Sequence, residues 1–198
     1  MHSTETMDEN HAIARLKQGD VGGLEILARL HYLQAVRAAY LIVQDHALAE
    51  DVVQISFVNL VGKINQFDET KLFRPWFMRS VVNNSISACR QRKRVVSLDQ
   101  MDDDNDQIGE LLNISSLTYT LEDIYIDEEM RSTVWHALEQ LNPQQRAAIV
   151  LRYYLELSEN ELTEELQRPK NTIKGMLFTT RRKLRQLLEP LNHDDIHS

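Results

Sequence analysis

Only one cysteine, Cys89, occurs among the 198 residues, so no internal disulfide can staple this chain. A lone cysteine fits a reducing compartment and excludes a disulfide scaffold. Proline and glycine are also scarce, at four and six, so long uninterrupted elements are expected. No apolar run approaches the roughly 18–20 residues of a membrane span. Met1 to Asn10 is polar and acidic and lacks the apolar core of a secretory signal, which makes a cytoplasmic location the expectation. Catalytic signatures are missing as well. There is no HExxH, Walker loop, GxSxG or Glu-x-x-His pair. His193 and His197 flank Asp194 and Asp195, but a tail this short reads as solvated. The sequence therefore points to a non-enzyme that uses no metal and no cofactor. What it does have is ordinary globular composition, 42% hydrophobic and 26% charged.

A net charge of −8 argues at first against nucleic acid. The distribution reverses that reading. Residues 11–94 carry 12 Lys/Arg against 7 Asp/Glu, and residues 130–190 carry 10 against 7. Between them, residues 95–129 hold 11 acidic residues and no basic one. Two mildly basic blocks are joined by a strongly acidic segment. The expected organisation is an N-terminal extension (1–10), a first block (11–94), an acidic flexible linker (95–129), a second block (130–190) and a tail (191–198).

Both blocks read as helical, and no strand alternation of useful length is found, so the expected class is all-α with two small domains. Val53, Phe57, Leu60 and Val61 share one helical face, and Met78, Val82, Ile86 and Cys89 share another. Cys89 on such a stripe reads as a small buried residue. The second of these helices is expected to start near Pro75 and to end in the cations Arg90 to Arg94. The linker contains Asp102-Asp103-Asp104-Asn105-Asp106, which repels itself and cannot form a core. In the second block Met130, Val134, Ala137, Leu138 and Leu141 form a stripe. Asn142-Pro143-Gln144-Gln145 then supplies a cap, a proline at the first helical position and a glutamine at the third. Ser158 and Glu161 have capping-box spacing. A turn at Gln167-Arg168-Pro169 follows, and the last helix carries Ile173, Leu177, Leu184 and Leu188 inward.

A short capped helix, a tight turn and a longer basic helix make a helix-turn-helix. In that motif the second helix enters the major groove and its first residues meet base edges. The outward candidates are Lys170, Asn171, Lys174, Gly175, Phe178 and Arg182, while Thr172 and the first backbone amides suit phosphate. Asn can pair with adenine, Lys can donate to guanine, and the arginines attract phosphate. The alternative is a plain helical hairpin with a solvated basic face. In the first block, cations interleave with aromatics: Phe67, Lys71, Phe73, Arg74, Trp76, Phe77, Arg79 and the Arg90–Arg94 run. Such interleaving is how unpaired bases are held. Phe77 reads as core, while Phe67 and Phe73, beside a polar loop, fit core and base-stacking roles equally.

Leu48-Ala49-Glu50-Asp51-Val52-Val53-Gln54-Ile55-Ser56-Phe57, then Phe73-Arg74-Pro75-Trp76-Phe77, then Asn83 and Arg90–Arg94, resemble region 2 of bacterial sigma factors. Leu138 to Arg146, Leu151-Arg152-Tyr153-Tyr154, Leu157 to Leu162, Asn171-Thr172-Ile173-Lys174 and Arg181-Arg182-Lys183-Leu184 resemble region 4. The order and the short length resemble the extracytoplasmic-function (ECF) group of the sigma-70 family. The resemblance implies a factor that binds core RNA polymerase, reads a duplex minus-35 element and traps the melted minus-10 strand. It places core docking on Asp51, Gln54, Ile55, Phe57 and Val58. It places minus-10 contacts on Asn65, Gln66, Phe67, Lys71, Phe73, Arg74, Trp76, Arg79, Asn83, Arg90, Arg92 and Lys93. Minus-35 reading falls to Lys170, Asn171, Thr172, Lys174, Gly175, Phe178, Thr179, Arg181 and Arg182. An anti-sigma partner is implied, and no membrane insertion. The acidic linker matches the segment that threads the polymerase cleft. The competing class is a stand-alone dimeric regulator with a sensor domain, which leaves the aromatic-basic loop without a use. Three positions depart from the family pattern. Gln167 stands where the turn usually has glycine, Pro169 replaces a small capping residue, and Met176 replaces a basic one.

Overall fold

Asp20 bonds back to Arg15 and Gly23 packs onto the preceding helix, so the first two helices turn sharply on one another. The computed structural model describes residues 2–98 and 128–188. Eight α-helices are described: α1 (His2–Lys17), α2 (Gly22–Val43), α3 (His46–Lys63), α4 (Phe73–Leu98), α5 (Glu128–Glu139), α6 (Pro143–Ile149), α7 (Glu159–Glu165) and α8 (Lys170–Leu188). No strand occurs among the described residues. None of their helices is long and apolar enough to cross a membrane. The acidic Asp102–Asp106 run and the tail lie outside the described residues.

The chain between α1 and α2 reverses at Gly19, whose φ of +84° suits glycine. A Cβ at Gly23 would sit 2.3 Å from the Ala12 carbonyl oxygen, so only glycine permits this crossing. The boundary expected after Asn10 falls inside α1. The reason is tertiary: Glu9 Oε1 lies 2.6 Å from the buried His31 Nε2 of α2, and Ala12, Ile13 and Leu16 follow into the core. Helix α2 is the centre of the first block, packed against α1, α3 and α4. Its small residues Ala35, Ala38 and Ala39 are buried and let the neighbouring helices approach closely. Asp45 caps α3, its carboxylate accepting from the Leu48 amide at 3.0 Å. Helix α4 begins at Phe73, two residues before Pro75, and runs past Arg94 to Leu98.

The second block follows its local signals closely. Asn142 and Gln145 form a capping box with Pro143 at the start of α6, and Ser158 and Glu161 form one on α7. Asn142→Ala should therefore cost about 1 kcal/mol, read as a lower thermal midpoint with unchanged helical spectrum. Helix α6 runs on into a wide turn over Val150–Tyr154, closed by the Leu155 amide on the Val150 carbonyl. Expected inward residues Met130 and Val134 are instead exposed, while Ala137, Leu138 and Leu141 are buried. Trp135 takes the inward role and stacks on Tyr40 of α2, centroids 4.5 Å apart. One continuous cluster joins most of the buried apolar side chains of the first block to those of α6, α7 and α8.

Candidate nucleic-acid interface

The turn of the helix-turn-helix forms without glycine. Gln167 itself adopts φ +50°, and the Arg168 amide reaches back to the Thr163 carbonyl at 3.2 Å. This is the αL helix ending that glycine usually supplies. Pro169 leads into α8, its carbonyl accepting from the Ile173 amide. Ile173, Leu177 and Thr180 are buried on one side of α8. Lys170, Asn171, Thr172, Lys174, Gly175, Phe178, Thr179, Arg181 and Arg182 all lie exposed on the other. Lys183 donates to the Gln140 carbonyl and ties α8 to the end of α5.

On α3, Asp51, Gln54, Ile55 and Val58 form an exposed stripe at helical spacing. Ile55 is 54% exposed and Val58 71%. Val61, expected inward, extends this stripe outward. Phe57 is different. It is buried against Phe77, centroids 4.6 Å apart, and cannot reach a partner. Ser56 shares its inward face, donating to the Val52 carbonyl and accepting from the Asn84 amide. A polar residue thus occupies a core position that apolar periodicity skips.

The loop between α3 and α4 divides in the same way. Phe67 and Phe73 are core, packed edge-to-face at 5.5 Å, and Phe73 stacks on Phe77. Base stacking by Phe67 and Phe73 is therefore corrected to a supporting role, because their faces are already covered. Trp76 is half-buried over Phe67. Above this aromatic floor Asn65, Gln66, Lys71 and Arg74 are exposed, and so is Leu72, at 77%. The loop is held from two sides. Lys17 donates to the Phe67 carbonyl at 2.9 Å and to Glu69 at 2.6 Å. Asp68 accepts from the amide and hydroxyl of Thr70, which holds its carboxyl below the usual range. Neither Lys17 nor Leu72 carries a motif signal, and only the folded loop brings them to this site.

Along α4, Arg79, Asn83 and Arg90 follow at i, i+4 and i+11 and turn toward the second block. Asn83 Nδ2 donates to Glu165 Oε1 at 2.6 Å. Arg79 lies 3.5 Å from carboxylate oxygens of both Glu161 and Glu165. Burial pushes the Glu165 carboxyl up, outweighing the opposing pull of Arg79 and Asn83. Protonation of this group therefore favours the packed arrangement, and it opposes packing as pH rises through the carboxylate range. Arg92 pairs with Asp45 at 2.9 Å, and Lys93 is exposed. Cys89 is half-buried, and burial raises its thiol despite nearby Arg146.

Arg146 was invisible to sequence patterning. Its side chain is buried between the blocks and 7% exposed. Nε donates to the Ile42 carbonyl at the end of α2, at 2.6 Å, and Nη1 to the Leu141 carbonyl at 2.7 Å. A guanidinium thus satisfies one carbonyl in the last turn of α2 and one in the turn between α5 and α6, joining the two blocks.

Two helical modules, one a helix-turn-helix with an exposed basic face, make the architecture of a DNA-binding protein. Residues 27–95 match the family model for sigma-70 region 2, and residues 131–184 that for sigma-70 region 4. Similar proteins include the ECF RNA polymerase sigma factor SigW of Bacillus subtilis, 26% identical over 90% of this chain and 96% of that protein. The ECF RNA polymerase sigma-E factor of Escherichia coli K12 is 25% identical over 95% of this chain and 98% of its own length. The fold is shared with the sigma factor RpoE solved in complex with the anti-sigma factor NepR from Bartonella quintana. That likeness has TM-score 0.59 at 22% identity, covering 83% of this chain and 96% of that one. CnrH in complex with the cytosolic domain of CnrY gives 0.57 at 19%, over 92% and 98%. The chain belongs to the sigma-70 family, in its ECF group. It acts in promoter-specific transcription initiation with RNA polymerase.

Proposed function

We propose that the two modules divide promoter recognition between them. Helix α8 reads the minus-35 duplex with Lys170, Asn171, Thr172 and Lys174 at base edges and Arg181 and Arg182 on phosphate. The α3–α4 loop and the α4 face formed by Arg79, Asn83 and Arg90 hold the melted minus-10 strand. Asn65, Gln66, Lys71, Arg74 and half-buried Trp76 supply the loop contacts, with Phe67 and Phe73 as their floor. The exposed stripe Asp51, Gln54, Ile55 and Val58 docks on core polymerase. Melting needs no catalysis. Unpaired bases bind better than paired ones, so binding shifts the duplex toward its open form. An anti-sigma factor is the regulatory partner we infer, since the sigma factor RpoE, which shares this fold, was solved with the anti-sigma factor NepR.

The observation that carries this reading is the outward face of α8, nine exposed polar, small or aromatic positions opposite the buried Ile173, Leu177 and Thr180. Lys174→Ala should weaken initiation at minus-35-dependent promoters by about tenfold, the size of one lost base contact. Run-off transcription with core polymerase over a promoter library measures it. Unchanged promoter discrimination would remove α8 as the reader.

A further inference from the structure

Lys17 ends α1, outside the span matched to sigma-70 region 2. Its ammonium nevertheless reaches the α3–α4 loop. Residues 68–72 of that loop are all exposed, while Phe67 and Phe73 at its ends are buried. A segment without buried side chains has little packing to fix its direction. Its own bonds shape only the tip. Asp68 accepts from the amide and hydroxyl of Thr70, and its carbonyl takes the Lys71 amide, which closes a turn. Lys17 sets where that turn points. Its Nζ donates to the Phe67 carbonyl at 2.9 Å and to Glu69 Oε1 at 2.6 Å, and stands 5.9 Å from the Phe67 ring centroid. One bond grips the backbone at the root of the loop, and the other a side chain within the turn. The Lys17 end is braced in its own right. Leu16 is buried beside it, Arg15 pairs with Asp20 across the corner at 2.7 Å, and the close crossing at Gly23 seats α1 on α2.

We propose that Lys17 is a positioning residue for minus-10 recognition: by holding the Phe67 carbonyl and Glu69 it aims Gln66 and Lys71, which flank the held segment, at the melted strand. The proposal rests on the strand-binding reading of this loop. Charge gives a second reason for the contact. An unpaired Glu69 carboxylate beside Lys71 would repel the phosphates that the loop cations attract, and pairing with Lys17 holds it against α1 and neutralises it. The pair is not there for stability. Glu69 is 63% exposed, and an ion pair so open to water adds little to folding. Its loss should therefore be felt in the placement of the loop before it is felt in the fold.

The test compares two promoter libraries in run-off transcription with core polymerase, one randomised in the minus-10 element and one in the minus-35 element. A change in charge near the strand alters all sequences alike and cancels within a library, since phosphate contacts carry no sequence information. Lys17→Met keeps the apolar stem but cannot donate. It should cut discrimination within the minus-10 library by about tenfold, the worth of one well-aimed base contact, and leave the minus-35 ranking unchanged. Lys17→Arg, which can donate to both acceptors, should recover most of the loss. An equal loss in both libraries would mean a general structural effect and overturn the proposal, and so would undiminished minus-10 discrimination. If Lys17→Met fails to fold, Glu69→Ala decides, because Glu69 is exposed and lies on the loop. Minus-10 discrimination should then fall about threefold, the scale of one exposed ion pair, and no fall overturns the proposal. Gln66→Ala reads the underlying assignment separately. If it lowers minus-10 discrimination and Lys17→Met does not, the positioning role is rejected and the strand-binding loop stands. If neither variant lowers it, both fall.

Discussion

Ile55→Asp combined with Val58→Asp should abolish co-elution with core RNA polymerase, weakening association by about 100-fold or more. Both side chains stand out of α3 on one stripe, and both are more than half exposed. Large apolar groups exposed in a row mark a surface that a partner covers. Docking would bury each introduced carboxylate without a cation, which costs far more than the lost apolar contact. The fold should survive, since exposed substitutions away from caps and cores stay within about 0.5 kcal/mol. Core affinity by titration and a thermal melt measure the two halves. Retained affinity in a folded variant would move the docking surface off α3.

Arg146→Ala should lower stability by about 3–5 kcal/mol, since it leaves two buried carbonyls without a donor at about 1–3 kcal/mol each and removes a packed stem. For a chain of this size that is a fall of roughly 6–20 °C in the thermal midpoint. The loss has a definite origin. The carbonyls of Ile42 and Leu141 accept from this guanidinium and would be left buried without a donor. Arg146→Lys should recover only part, because one ammonium cannot reproduce the two directed bonds of the fork. Calorimetry of the three proteins checks the order. A midpoint for Arg146→Ala within a degree or two of the unmodified protein would mean the blocks are held elsewhere.

The parts of this fold legible in the sequence are those fixed within a few residues. Both capping boxes, at Asn142 and Ser158, were readable because cap and third residue lie three apart. The two faces of α8 were readable because its polar and apolar positions segregate, with Thr180 the one polar residue among its buried positions. Misreadings arose where a side chain's partner is distant. Phe57 and Val61 fell on one predicted face, but buried Ser56 rotates the true core face and leaves Val61 outside. Phe67 and Phe73 lie near a polar loop in sequence, yet an aromatic cluster with Trp76 and Phe77 closes over them. Trp135 replaced Met130 and Val134 because Tyr40, almost a hundred residues earlier, offers it a stacking face. Gln167 shows a turn surviving the loss of its usual glycine because the backbone bond to Thr163 holds it. Arg146 had no local signal at all, since its acceptors are carbonyls brought in by packing.

The most direct measurement is a sizing-column run of the purified chain with bacterial core RNA polymerase, followed by run-off transcription from a promoter library. The account predicts a one-to-one complex that starts transcription only at promoters with a shared pair of elements, centred about two and a half helical turns apart. A chain that elutes apart from core and instead protects a palindromic duplex as a dimer would contradict it.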